Sequence, residues 1–244
     1  MSLRPIVIVA ATGLALAALS HPAVATRIAK ILGEAPRRAL DAERLLALAL
    51  QHLVLAGTGL ALVAGLGIGL GIVATRRGAV ALRPAIDGVA AAAQAVPPVV
   101  VVALALSVLG FGGPPTLLAL VAYGVMPVLR GTVGALETVS REAREAAEAM
   151  GLTRRQILLS VELPLAAPGI VETLRTALVL SIATAAVGAL AGAATLGTPI
   201  VAGLQNQNTV PMLQGACATA ALAFLGDAAM LGLAALARIS RPRT

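Results

Sequence analysis

A bundle of about six transmembrane helices, all-α and polytopic, is the fold class that this 244-residue sequence predicts. Three observations carry that reading. Hydrophobic residues make up 59% of the chain and charged residues only 12%, whereas a soluble domain is near half apolar and a quarter charged. The apolar residues gather in runs long enough to cross a hydrocarbon core, which takes about 20 helical residues for about 30 Å. Those runs are continuous. A membrane β-barrel would instead show ten-residue stretches of alternating polarity.

The elements follow in chain order. The first run, IVIVAATGLALAAL at 6–19, comes after Arg4. With Ala23, Val24 and Ala25 behind it, its proportions suit a cleaved secretory leader. They suit equally a short first helix that stays in place. In both readings the chain beyond residue 26 starts outside the membrane. A polar stretch, from His21 to about Arg44, then precedes a long span at 48–74. That span contains GLGIGLG, Gly65 to Gly71, whose spacing is not the G-x-G-x-x-G of a dinucleotide loop. The pairs Gly65/Gly69 and Gly67/Gly71 present small-xxx-small faces instead, on which helix backbones approach closely.

A third span, at about 88–109, is interrupted by Pro97 and Pro98, and a fourth, at 116–136, contains Pro127. Each proline removes a backbone donor and tends to kink its helix. Inside lipid such breaks are tolerated where neighbours or a water-filled path satisfy the freed carbonyls. Pro97, Pro98 and nearby Gln94 are therefore candidates for lining a translocation path, with a purely structural kink as the other reading. The fifth and sixth spans are 169–194 and 212–237. Asp227, in the last, is the one notable membrane carboxylate of this reading, and since an intramembrane charge is a functional candidate by default it joins Gln94, Pro97 and Pro98 as a candidate for the translocation path. Its alternative is to pair with an arginine near the interface. Asp87 is expected at the interface near Arg83.

The basic residues set an orientation. Arg4, Arg76, Arg77, Arg83, Arg130, Arg141, Arg144, Arg154, Arg155, Arg238, Arg241 and Arg243 gather on one side, against Arg27, Lys30, Arg37, Arg38 and Arg44 on the other. The positive-inside rule then puts both ends and the 137–168 loop in the cytoplasm. The same rule accounts for the net charge of +7. Nucleic acid does not, because the basic residues are scattered between apolar spans and the chain has one tyrosine, two phenylalanines and no tryptophan.

The 137–168 segment is the most informative. Residues 140–150 are rich in strong helix formers, with Ser140 placed to cap and Glu142 in the first turn. Gly151 stops that helix, as a glycine just past a helix end does. Thr153 caps a second helix that runs to about Leu163 and ends before Pro164. The prediction is two short helices with a bend between them, outside the bilayer.

The string EAAEAMGLTRRQILLSVELP, Glu145 to Pro164, resembles the EAA motif of binding-protein-dependent ABC importer permeases. Its pattern is E-A-A, three residues, G, nine residues, I-x-L-P. Glu145, Ala146, Ala147, Gly151, Leu163 and Pro164 all fall in place, with Val161 for the isoleucine. The resemblance implies the MetI-like fold of type I importers, in a bacterial inner membrane. It also implies that this loop is a coupling helix docking into a groove on a separate ATPase, with Gly151 at the turn, Ala146 and Ala147 allowing close approach and Glu145 as an anchor at the bend. The expected partners are ATPase subunits, a second permease subunit, a substrate-binding protein and membrane lipid. ATP and magnesium belong to the ATPase, and no cofactor is expected in this chain. A P-loop needs G-x-x-x-x-G-K-[ST], and the chain's one lysine is Lys30, after an alanine.

Over roughly 45–240, GVAAAAQAVPPVVVVALALSVLGFGGPP and GALAGAATLGTPIVAGL are similar to the osmoprotectant branch, importers of glycine betaine, choline and carnitine. That branch includes short permeases with an extra first helix, which favours keeping 6–19. The domains expected are an N-terminal helix and outer segment at 1–46 and a permease domain at 47–240. Tyr123, Phe111 and Phe224 are the only aromatic residues. An aromatic cage for a quaternary ammonium therefore belongs on another chain.

Other classes fit less well. Ser107 and Ser181 have no base linked to them by any motif, since the histidines are His21 and His52. Those two and the single Cys217 lack metal-ligand spacing. An ion-coupled secondary transporter would show internal repeats and more embedded charge. An amino-acid or methionine importer is the nearest alternative substrate class. The Gln205–Asn208 turn reads as a solvated outer loop.

Overall fold

In a computed structural model of the chain, the residues described are 4–31, 33, 38–76, 78 and 83–239, and every regular element among them is helical. Helix α1 is Arg4–Leu19 and α2 is Pro22–Ile31, the two bent by 77°. The polar stretch after the first run is thus partly a helix. It buries Ala25 and Ala29 against Val210.

Helix α3, Ala42–Ala74, has 33 residues and spans about 50 Å. It starts six residues before the predicted span because Asp41 caps it, Oδ1 accepting from the Arg44 N–H at 2.8 Å. Helices α4 (Arg83–Ala95) and α5 (Pro98–Leu109) replace the single third span. Pro97 and Pro98 cause the break. A residue before proline is pushed out of the α region, and Pro97 is extended at φ −56°, ψ 141° while Pro98 opens α5. Pro127 has no such effect inside the unbroken α6, Gly113–Glu137.

Next come α7 (Arg141–Ala149) and α8 (Arg154–Ile157), a π turn (Leu158–Glu162), α9 (Leu163–Val187) and a 3-10 turn (Gly188–Ala191). The predicted stop before Pro164 is corrected: helix continues through it, and Arg154–Ala191 forms one 38-residue unit. A wide π turn precedes the proline, and the Leu163 N–H bonds to the Leu158 carbonyl. The widened turn takes the ring in without ending the helix. Helices α10 (Gly197–Gln205) and α11 (Thr209–Ile239) close the chain.

Four of these helices are long and apolar enough to cross a membrane, and the bent α1–α2 pair makes up to five. The broken α4–α5 pair supplies the remaining passage, as the helix pairings show. A Cβ added at Gly59 would meet Leu120, and one at Gly67 or Gly71 would meet Val128 or Thr132, each at 2.6–2.7 Å. Both series ascend together, so α3 and α6 are parallel and the chain between them must return from one end of the bundle to the other. Helix α9 runs the opposite way, with Gly169 against Ala135 and Gly188 against Thr116. Helix α1 is antiparallel to α11, with Gly13 on Leu225 and the Ser20 carbonyl 3.3 Å from Gln214 Nε2. The start of α1 and the end of α11 therefore lie at the end of the bundle that carries α7, called here the loop end.

The core is the α3–α6–α9 seam, where Val63, Val128 and Ala177 are buried together. Only one of the two glycine faces serves it, since nothing lies within 4 Å of a Cβ at Gly65 or Gly69. His52, placed by the sequence near the edge of its span, is wholly buried. Its Nε2 donates to the Ile182 carbonyl at 2.9 Å, and its Nδ1 accepts from the Leu196 N–H at 3.2 Å. One ring thus ties α3 to α9 and to the segment before α10. His52→Leu leaves the buried Leu196 N–H without its acceptor and removes the link to the Ile182 carbonyl of α9, and the expected cost is about 1–3 kcal/mol. A lowered thermal midpoint of the purified protein in detergent would register it.

Candidate functional site

The loop end concentrates polar residues that the spans exclude. Ser140 Oγ accepts from the Ala143 N–H at 3.2 Å and starts α7. Its other end closes on Gly151, at φ +80°. The Gly151 N–H bonds to the Glu148 carbonyl at 2.9 Å and the Leu152 N–H to the Ala147 carbonyl at 3.2 Å, the paired bonds of a Schellman cap. Thr153 then opens α8 in a capping box, its N–H on Gln156 Oε1 at 2.9 Å and its Oγ1 accepting from the Gln156 N–H at 3.4 Å. Two helices meet at a rigid bend whose tip, Met150, is 73% exposed.

The sequence-predicted loop residues divide here. Glu145 and Ala146 are exposed, whereas Ala147 is 1% exposed, so its small size serves packing within the chain. Glu145 does not stand at the bend. It lies six residues before Gly151 and pairs with Arg141 one turn back. Leu163 packs on a buried cluster of Ala135, Leu136, Val139, Ala166 and Ile170, at the foot of the bundle. Pro164, half-buried, follows it in the same helix.

One residue that sequence reasoning missed holds this assembly together. Glu162 is buried, with Oε2 2.7 Å from Arg76 NH1 and Oε1 2.9 Å from Arg144 Nε. Arg76 follows α3 and also donates to the Ile72 carbonyl at 3.2 Å. Arg144 lies on α7 and also donates to the Leu136 carbonyl of α6 at 2.7 Å. Four helices thus meet through one carboxylate. Its one signal in the sequence is a lone charge inside an apolar run, QILLSVELPL. Beside it opens a cleft of about 620 Å³, whose lining includes Arg76, Arg144, Arg154, Arg155 and Glu148.

A second ionic group lies between α9 and α11. Arg175 meets Asp227 two-fold, Nε to Oδ1 at 2.9 Å and NH2 to Oδ2 at 3.0 Å, and donates from NH1 to both Glu172 oxygens at 2.7 and 2.6 Å. Asp227 is therefore not the lone carboxylate of the spans. Arg175 and Glu172, inside the fifth apolar run, went unweighed in the sequence. Asp87 likewise has Arg130 at 3.9 Å as its partner, while Arg83 pairs with Glu137 at 2.7 Å. Pro97 is exposed and Pro98 half-buried at the head of α5. Gln94 lies on α4, and its side chain is outside the described residues. Among the described residues no three His, Cys, Asp or Glu side chains come together to hold a metal ion.

Fold and site together define a multi-pass membrane protein with one structured polar loop, braced to the ends of its spans. The chain belongs to the family of binding-protein-dependent transport system inner membrane components, whose sequence profile matches residues 67–238. It is the permease component of an ABC importer. It is 35% identical over 181 residues to the glycine betaine/carnitine/choline transport system permease protein OpuCD of Bacillus subtilis (strain 168), covering 74% of this chain and 78% of that one. The choline transport system permease protein OpuBD of the same organism is 34% identical over 198 residues, covering 80% and 86%. An inward-facing structure of the MetNI methionine ABC transporter shares the fold, with a TM-score of 0.72 at 21% identity over 82% of this chain and 98% of that one.

Proposed function

We propose that this chain forms the translocation path for an osmoprotectant such as glycine betaine or choline, delivered by a separate binding protein and driven by a separate ATPase. The observation that carries the substrate class is its identity of 34–35% to permeases named for glycine betaine, carnitine and choline, across roughly three quarters of the chain. Three aromatic residues in the whole chain fit a path that does not itself grip a quaternary ammonium tightly. In this reading the loop end faces the cytoplasm, as the distribution of arginines favours. The α7–Gly151–α8 bend enters a groove on the ATPase, which binds ATP and magnesium, and a second permease subunit completes the path. The N-terminal part, 1–46, is an added helix and outer segment, and 47–240 is the permease domain. Pro97, Pro98 and Gln94 line the path at the broken passage. Asp227, neutralised by Arg175, braces α9 against α11.

Uptake into proteoliposomes tests this directly. The complex of this chain with its ATPase and binding protein is expected to accumulate labelled choline or glycine betaine only when ATP is supplied. Preferential uptake of methionine would overturn the substrate class. Accumulation driven by an ion gradient with no ATPase present would overturn the mechanism.

A further inference from the structure

We infer that Glu162 is the positioning residue that carries movement of α7 into the spans, an inference that rests on the loop being the part the ATPase moves. Among the described residues three helices share one ionic link at the loop end: Arg76 follows α3, α7 carries Arg144, and Glu162 closes the π turn that leads into α9. A push on α7 therefore reaches α3 and α9 through one carboxylate held by two guanidinium groups.

The burial of the three groups is unequal. The Arg76 and Arg144 side chains are 36% and 35% exposed, whereas the Glu162 side chain, on the wall of the same 620 Å³ cleft, is 7% exposed. Arg76 has water to turn to, while the Arg144 Nε that faces the carboxylate is buried. The carboxylate is nearly closed off, and a buried charge that loses its partners is strongly destabilised. The clasp therefore opens first at Arg76, with Arg144 still neutralising the charge. That makes it a joint able to shift without coming apart.

Its position in the helix favours the same role. The segment Leu158–Glu162 is a π turn, and Pro164 just beyond lacks a backbone donor. This is one of two departures from α geometry in a 38-residue helix, and the one at the loop end, and single π turns concentrate at functional places in helices. Without a clasp there, motion of α7 and α8 would bend the π turn and die out. With it, α3 and α9 move together, as rigid elements about a hinge do.

The test measures ATP hydrolysed and solute taken up by the reconstituted complex, for wild type and for Glu162→Gln, Arg76→Gln and Arg144→Gln. Glu162→Gln keeps the shape and removes the charge. Expected is a loss of uptake of about tenfold or more, with ATP hydrolysis within about twofold of wild type, so that ATP spent per solute rises. Each arginine variant should raise that ratio less, since the other arm remains, and Glu162→Asp should recover part of the loss. A wild-type ratio in Glu162→Gln overturns the inference. So does uptake that falls only in proportion to the amount of folded complex in all three variants. Where Glu162→Gln does not accumulate, the arginine variants decide, and a wild-type ratio in both overturns it. Wild-type uptake without the ATPase would instead defeat the reading of the loop on which the inference rests.

Discussion

Replacing Gly151 with valine should leave the protein folded and inserted while cutting ATP-driven uptake by about tenfold or more. The residue sits at φ +80°, a region that a β-branched side chain enters at a cost of about 1–3 kcal/mol. Steric clash is not the cause, because no atom lies within 4 Å of where a Cβ would stand. The strain is purely conformational, and the cheapest relief is to rotate the bend out of the left-handed region. That breaks the bonds from Gly151 and Leu152 to the Glu148 and Ala147 carbonyls, frays the end of α7 and swings the exposed Met150 away. Buried packing is untouched, so a thermal midpoint should move little. What changes is the shape of the tip, and a rigid tip is what a moving partner needs to push on. Gly151→Asn is the informative companion, since asparagine tolerates the left-handed region. It should keep most of the uptake. Normal uptake and substrate-stimulated ATP hydrolysis in Gly151→Val would remove the bend from any part in coupling.

Features set by local rules were legible in the sequence. Ser140, Gly151 and Thr153 act within four residues of themselves, and all three do in the structure what capping chemistry requires of them. The apolar runs gave the helical class because lipid leaves few alternatives. The charged residues were harder. Glu162 finds Arg76 across 86 positions and Arg175 finds Asp227 across 52, and no periodicity in one chain announces such partners. The prolines were only partly legible for a related reason. Whether a proline ends a helix depends on what its freed carbonyl can reach, so Pro97 and Pro98 broke the span they were expected to interrupt, whereas Pro127 broke nothing and Pro164 was absorbed by a π turn.

The glycines of α3 turn this limit into the second large expected effect. Spacing alone made Gly65/Gly69 and Gly67/Gly71 equivalent, yet they face opposite surroundings. A Cβ at Gly67 would stand 2.7 Å from Val128 Cβ, and one at Gly71 would stand 2.7 Å from Thr132 Cβ. Both obstacles are branch points next to backbone, which cannot swing aside. Overpacking of this kind costs about 1–3 kcal/mol per site, and the two sites strain one seam together. Packing is also the main force between helices in lipid. Gly67→Val with Gly71→Val should therefore lower the thermal midpoint of the purified chain by about 10 °C or more, or prevent its accumulation in the membrane. Gly65→Ala with Gly69→Ala meets no atom within 4 Å. It should hold or raise the midpoint, since alanine is favoured over glycine in a helix by about 1 kcal/mol. Midpoints lowered equally by both pairs would show that the α3–α6 seam is not where α3 packs. A loss confined to the Gly65 and Gly69 pair within the assembled complex would have a different meaning: the bare face of α3 is where another subunit comes close.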